Sequence, residues 1–200
     1  MNGIRLCCLD LEGVLIPEIW IGVAKQFQVD ELKLTTRDIS DYDLLMKRRI
    51  EILRARDICL KDIQNVIGKL KPLPGAKEFL KKLRERFPVI ILSDTYYEFA
   101  GPFMRQLGNP VLFCNSLKID RRGFLAGYTL RQKDGKKRAV QLLRQLGFSV
   151  SVAGDSFNDL SMLLAADRKT FFNPPKSIQK KYPNLPVARN YSALLRFFCS

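Results

Sequence analysis

Two hundred residues suffice for one well-buried domain, or a domain with a substantial insertion, and are too few for two ordinary independent domains. The formal net charge of +14 is large for this length and invites a polyanionic partner, while no apolar stretch approaches the length of a membrane span. The chain contains no histidine, which excludes Ser-His-Asp and Cys-His catalysis and histidine-ligated metals, and its five cysteines form no C-x-x-C pair that would suggest zinc or a disulfide framework.

The run Ile4 to Leu9 is short and apolar and ends in Asp10-Leu11-Glu12-Gly13. Such a run reads as a strand buried on both faces of a parallel sheet, with Cys7 and Cys8 as small buried hydrophobes. Ligands on these sheets bind beyond the carboxyl ends of the strands, where Asp10 and Glu12 stand. Asp10 also falls where a secretory signal would still be apolar, so a cytoplasmic protein is expected.

Pro17 to Phe27 reads as a helix with proline in its first turn. Thr35 to Leu70 carries two further helical patterns, Tyr42 to Ala55 and Leu60 to Lys69, and no strand, which marks a helical insertion. Pro74 and Gly75 then open an amphipathic helix to Arg86, and Pro88 to Leu92 is a second β-branched run, ending at Ser93-Asp94-Thr95. A helix through Leu107 is closed by Gly108. Val111 to Cys114 reads as a third strand, and Leu117 to Ile119 with Phe124 to Leu130 as a hairpin turning at Asp120-Arg121-Arg122-Gly123. A helix from Lys136 to Leu146, with Asp134 near its N-cap, leads to a strand over Ser149 to Ala153. Gly154-Asp155-Ser156-Phe157-Asn158-Asp159 follows, then Thr170-Phe171-Phe172 as the last core strand, a loop and a C-terminal helix. The alternation predicts an α/β fold, a doubly wound parallel sheet. Residues 1–14 and 72–200 would form the core and 15–71 a helical cap inserted after the first strand.

The basic residues of Lys77 to Arg86, Lys133 to Arg144 and Lys176 to Lys181 alternate with apolar ones at helical spacing, the pattern of solvated outer faces. No nucleic-acid motif accompanies them, so nucleic acid and membranes are not expected partners.

Three strands end in functional groups: Asp10 and Glu12, Ser93, and Asp155. All three meet on one sheet edge. Carboxylates without histidine make a hard-oxygen site suited to magnesium rather than zinc. A serine hydroxyl and a helix-start lysine suit phosphate oxygens. Lys136 competes for that role with Lys133 and Lys137, and its place just inside a helix start favours it. Ser93 also reads as an N-cap, and Asp94 as the residue whose backbone N–H meets phosphate. Glu18 can equally complement a helix dipole, Arg49 can be a solvated helix residue, and Asp10 and Asp155 can be turn aspartates.

Asp-x-Glu after the first strand, serine after a middle one, lysine at a helix start and then Gly-Asp-x-x-Asn-Asp is the four-motif order of haloacid-dehalogenase-superfamily phosphatases, which the chain resembles over nearly its whole length. Asp10 to Trp20, Thr35-Thr36-Arg37-Asp38-Ile39, Leu70 to Leu73, Ile91 to Phe99, Leu130 to Asp134 and Ala153 to Ser156 extend the likeness. They resemble that superfamily's bifunctional branch, which acts as phosphoserine phosphatase and phosphoserine:homoserine phosphotransferase. The resemblance implies a Rossmann-like core and a small-molecule reaction with phosphoserine as donor and homoserine or water as acceptor. Asp10 would be the nucleophile and Glu12 the proton carrier. Mg2+ would be held by Asp10, the Glu12 carbonyl and Asp155, and Ser93 and Lys136 would hold the phosphoryl oxygens. Asn158 and Asp159 would support the lysine and the metal waters, Glu18 would take the substrate ammonium and Arg49 its carboxylate. Most of the superfamily has aspartate at the position of Glu12, and phosphoserine phosphatases proper usually have small glycine-rich residues where this chain has Asp94-Thr95; the Glu12 departure matches the bifunctional branch. A phosphatase for another small phosphorylated acid or alcohol, and a polyanion-binding protein on an inactive scaffold, are the alternatives. Oligomeric state is not fixed by these features.

Overall fold

The computed structural model describes residues 3–35, 38–39 and 41–200; Thr36 and Arg37 of the segment Thr35 to Ile39 lie outside the described residues. Strand β1 (Arg5–Leu9) lies at the middle of the sheet because its side chains are apolar on both faces: Leu6 is 4% exposed and Cys7, Cys8 and Leu9 are fully enclosed. Leu6 and Cys8 join the core under one face and Cys7 and Leu9 the core under the other, as the two-residue period of a strand requires. Burial pushes the Cys7 thiol up to about 12 and Cys8 higher still, and both are free, as small inert hydrophobes should be.

The remaining strands are β2 (Val89–Tyr96), β3 (Val111–Ile119), β4 (Leu125–Thr129), β5 (Ser149–Gly154), β6 (Arg168–Phe172) and β7 (Val187–Ala188). The sheet has seven strands in the order β4-β3-β2-β1-β5-β6-β7, parallel throughout except for the β3–β4 hairpin. The chain leaves β1 toward β2 on one side and returns to β5 on the other. The crevice at the carboxyl end of β1 is therefore the topological switch point, where this class of sheet holds ligands.

Helices α1 (Ile19–Phe27), α2 (Tyr42–Ala55) and α3 (Leu60–Lys69), with a 3-10 turn at Asp30–Lys33, lie between β1 and β2 in the chain. Their apolar stripes, among them Ile19, Val23, Met46, Leu53, Ile63 and Ile67, continue one core with α4 (Ala76–Arg84), α5 (Tyr97–Gln106) and α9 (Tyr191–Cys199). Contacts that tie the insertion to the hairpin include Arg54 Nη2 to Asp120 Oδ2 at 2.6 Å, the Leu60 N–H to the Gly123 carbonyl at 2.9 Å and the Tyr128 hydroxyl to Asp43. On the opposite face α6 (Gly135–Gln145), α7 (Leu160–Ala165) and α8 (Lys176–Lys181) cover Leu6, Cys8, Val150 and Val152. The basic residues of α4 and α8 and most of those on α6 face solvent as expected, and Lys136 is the buried one. Among the described residues no helix is long and apolar enough to cross a membrane.

Several boundaries differ from the sequence reading. Helix α1 starts at Ile19 rather than Pro17, with Glu18 at its N-cap, because the Ile19 N–H is taken by the Glu12 carboxylate at 2.9 Å. Strand β2 continues through Ser93-Asp94-Thr95 to Tyr96, with its register against β3 shifting after Leu92. The expected third strand and the first arm of the hairpin are one strand, β3. Its polar centre is satisfied: Asn115 donates to the Asp94 carbonyl at 3.0 Å and accepts from the Arg131 N–H at 3.0 Å. Asp134 stands at the N-cap of α6 in the left-handed region, φ 50, and makes no side-chain capping bond. Thr170 to Phe172 is not the last strand, since β7 adds one more edge. The short helices α7 and α8 were not anticipated either.

Candidate active site

Asp10 is the first residue beyond β1 and is 5% exposed. Its Oδ1 accepts from the Leu11 N–H at 2.7 Å and from Lys136 Nζ at 2.9 Å. Gly13 turns the chain back with φ 75, and a Cβ there would lie 2.4 Å from the Asp155 carboxylate, so only glycine lets the β1 loop approach the group that follows β5. Asp159 is fully buried: its Oδ2 accepts from the Asp155 N–H at 2.9 Å, the Ser156 N–H at 3.0 Å and the Ser156 hydroxyl at 3.1 Å, and its Oδ1 accepts from Lys136 Nζ at 2.8 Å. Lys136, 7% exposed at the start of α6, thus bridges Asp10 and Asp159 and lies 3.3 Å from Asp94 Oδ2.

One ligand atom from each of Asp10, Asp155 and Asp159 falls within 4.8 Å of the others. Asp159 already serves the lysine and two amides, which leaves Asp10 and Asp155 as the carboxylates with capacity to spare. This donor set fits a hard divalent cation, being all oxygen, anionic and free of imidazole. The electrostatics agree. Burial first, and Asp159 second, push Asp10 well above the usual carboxylate range, and the same causes push Asp155 up to about 7. Burial alone would lower the Lys136 ammonium, but Asp10, Asp159 and Asp94 outweigh it and keep it charged. Burial would also raise Asp159, yet the Lys136 ammonium and its amide donors hold it below its ordinary value. The cluster carries more carboxylates than its one buried ammonium can neutralise, the condition under which a cation binds.

The Glu12 side chain lies apart from that trio. Its Oε2 accepts the Ile19 N–H and its carboxylate is hydrogen-bonded by the Thr95 hydroxyl. Burial and the neighbouring Glu18 push it up to about 8, so it holds a proton at neutral pH. A cavity of about 460 Å3 opens between the sheet edge and the insertion, lined by Glu12, Glu18, Arg49, Ser93, Asp155 and Asn158 together with Asp10, Asp94 and Lys136. It brings together every site residue named from the sequence except Asp159, which lies fully buried behind Lys136 and Asp155.

Arg49 is 6% exposed, which overturns the solvated-helix reading. Its guanidinium lies 4.3 Å from the Trp20 ring centroid, Nη2 donates to the Leu34 carbonyl at 2.7 Å, and buried Nε has no partner among the described residues. Ser93 is buried within β2 and α5 begins only at Tyr97, so it caps no helix; its hydroxyl accepts from the Thr95 N–H at 3.2 Å. Glu18 and Asn158 are exposed at the cavity wall, and Asp94 has a half-exposed side chain. Of the three candidate lysines, Lys133 is exposed and Lys137 half-buried, leaving Lys136 as the one inside.

Sequence reasoning missed Thr95, Trp20, Asn115 and the Tyr42–Tyr96 hydroxyl pair, whose oxygens are 2.6 Å apart at the cavity wall. Thr95 and Trp20 fell inside quoted motif segments without being given work. Tyr96 likewise fell inside a quoted segment, and nothing local in the sequence marks Asn115 or Tyr42.

The haloacid dehalogenase-like hydrolase model matches residues 4–167. The chain is 51% identical over 194 residues to a Pseudomonas aeruginosa protein named phosphoserine phosphatase ThrH, covering 97% of this chain and 95% of that one. It is 48% identical over 196 residues to a phosphoserine phosphatase of Pseudomonas syringae pv. tomato, covering 98% and 83%. Among solved structures, one described as a phospho-aspartyl intermediate analogue of phosphoserine phosphatase shares the fold with a TM-score of 0.79 at 20% identity, covering 98% and 99%. The matched family model, the parallel sheet with its switch point at β1 and the buried Asp10–Lys136–Asp159 bridge agree, and the chain belongs to the haloacid dehalogenase-like hydrolases.

Proposed function

We propose that this protein is a magnesium-dependent phosphoserine phosphatase that also transfers the phosphoryl group to homoserine, through an aspartyl phosphate on Asp10. The observation that carries the reading is the buried ammonium of Lys136 set between Asp10 and Asp159, with Asp155 alongside, at the open end of β1. The near-half identity to two proteins named phosphoserine phosphatase supports the substrate.

Asp10 and Asp155, with the Glu12 carbonyl, would hold Mg2+, which when bound offsets the repulsion between an anionic nucleophile and an anionic phosphate. The Asp10 carboxylate attacks phosphorus as the bond to the serine oxygen breaks. Glu12, protonated at neutral pH, gives its proton to that oxygen. The resulting Glu12 carboxylate then takes a proton from water or homoserine, whose oxygen displaces Asp10 from phosphorus. Lys136 and the Ser93 hydroxyl hold the phosphoryl oxygens in place. Asn158 lies at the cavity wall, and Asp159 keeps Lys136 in position. Arg49, fixed against Trp20 with a spare N–H, binds the substrate carboxylate, and Glu18 binds its ammonium. Residues 15–71 act as the cap that excludes bulk water, and the protein works in the cytoplasm.

Release of phosphate from O-phospho-L-serine with Mg2+, with and without homoserine, tests this reading. Turnover in both conditions, with phosphohomoserine formed in the second, is expected. No turnover with Mg2+ present would overturn it.

A further inference from the structure

We infer that Tyr191, from the C-terminal segment beyond the matched family region, is a positioning residue that holds the Asp10–Ile16 loop in register with Asp155. The inference rests on the function proposed above. Tyr191 opens α9, 177 residues away in sequence from the loop it touches, and its hydroxyl donates to the Val14 carbonyl at 2.8 Å. Its ring is held on both sides, stacked on Phe79 at 5.1 Å and on Phe172 at 4.9 Å, so the hydroxyl is delivered from a fixed direction. A Cβ on Gly75 would lie 3.1 Å from that ring, so the turn before α4 also closes on it.

Besides the Asp10 and Glu12 side-chain bonds described above, the loop is held by backbone bonds. Gly13 N–H donates to the Ile16 carbonyl at 2.9 Å, Leu15 and Ile16 N–H to the Leu11 carbonyl at 2.8 and 3.0 Å, and Leu73 N–H to the Leu15 carbonyl at 2.9 Å. Tyr191 supplies a donor to Val14, the residue next to Gly13, whose α-carbon packs against the Asp155 carboxylate. Loss of the hydroxyl frees a carbonyl one residue from that close contact. The spacing of Asp10 and Asp155 then loosens, and with it the geometry that both cation binding and in-line attack require.

Tyr191→Phe removes the hydroxyl and keeps the stack, while Tyr191→Leu removes both. For Tyr191→Phe the expected results are faster amide hydrogen exchange over residues 11–16, Mg2+ binding weakened several-fold by titration of the metal-free protein, and kcat on phosphoserine reduced by roughly tenfold with KM unchanged. The Tm should fall by only about a few degrees, the cost of one buried carbonyl left without its donor. Parental exchange, Mg2+ affinity and kcat in Tyr191→Phe, with losses confined to Tyr191→Leu, would show that the ring only packs and would overturn the inference. Exchange and Mg2+ titration need no turnover, so failure of the phosphoserine reading would leave this test intact.

Discussion

Replacing Lys136 by methionine keeps most of the stem volume and deletes the ammonium that lies 2.9 Å from Asp10 and 2.8 Å from Asp159. Breaking a buried pair costs about 3 to 5 kcal/mol because the partner charge is left without compensation. Asp159 retains three donors on Oδ2, which argues for the lower end, about 3 kcal/mol. For a chain of 200 residues that is a fall of roughly 6 to 12 °C in Tm. The pH dependence follows from the direction of the Asp159 shift. In the parent its pKa is held below the ordinary value, so the stabilisation is complete above the unfolded carboxylate value of about 3.9 and fades as pH falls through the folded value. In Lys136→Met burial is offset only by the donors on Oδ2, the Asp159 pKa rises, and protonation relieves the penalty as pH falls. Thermal unfolding of the metal-free proteins from pH 5 to 8 should show a wide gap at pH 7.5 that narrows toward pH 5. Turnover should fall about 10²- to 10³-fold, as for other lost electrostatic donors. A Tm equal to the parent's at pH 7.5, or a gap independent of pH, would refute the reasoning.

Arg49→Ala should raise KM for phosphoserine about ten- to hundredfold, the worth of hydrogen bonds to a charged group, and Arg49→Lys should restore little because the stacked fork is lost; steady-state kinetics with unchanged KM would remove Arg49 from substrate recognition. Mg2+ must displace the proton of Asp155, whose pKa is raised to about 7. Its affinity by calorimetry should therefore fall at least about tenfold per pH unit below that value, more steeply where Asp10, whose pKa is also raised, must lose its proton too, and a flat profile would count against Asp155 as a ligand. Thr95→Val deletes the hydroxyl donor to Glu12 and should lower kcat by about five- to tenfold, with Thr95→Ser restoring it, since a single such bond is worth about 1 kcal/mol; equal loss in both variants would point to packing instead.

The sheet and its reacting edge were legible because they rest on local signals. An apolar run that ends at Asp10, and another leading to Ser93, can only be buried strands that deliver their next residues to the same edge, and Gly154-Asp155 repeats the arrangement. Lys136 was separable from Lys133 and Lys137 only by its place one residue inside α6, and the structure buries that one. What escaped depends on partners distant in sequence. Asn115 looked like a break between two strands because its brace on Asp94 and Arg131 is tertiary. The burial of Arg49 depends on Trp20 and the Leu34 carbonyl, neither on its own helix. Two-residue β7 and six-residue α7 and α8 are too short for periodicity to register.

The central claim is that the phosphoryl group passes through Asp10. Rapid mixing with labelled phosphoserine and Mg2+, acid quenching and peptide mass analysis test it most directly. One phosphoryl group is expected on the peptide that contains Asp10, formed and lost at rates consistent with turnover, and none in Asp10→Asn, which should be inactive. A label on any other residue, or full turnover by Asp10→Asn, would contradict it.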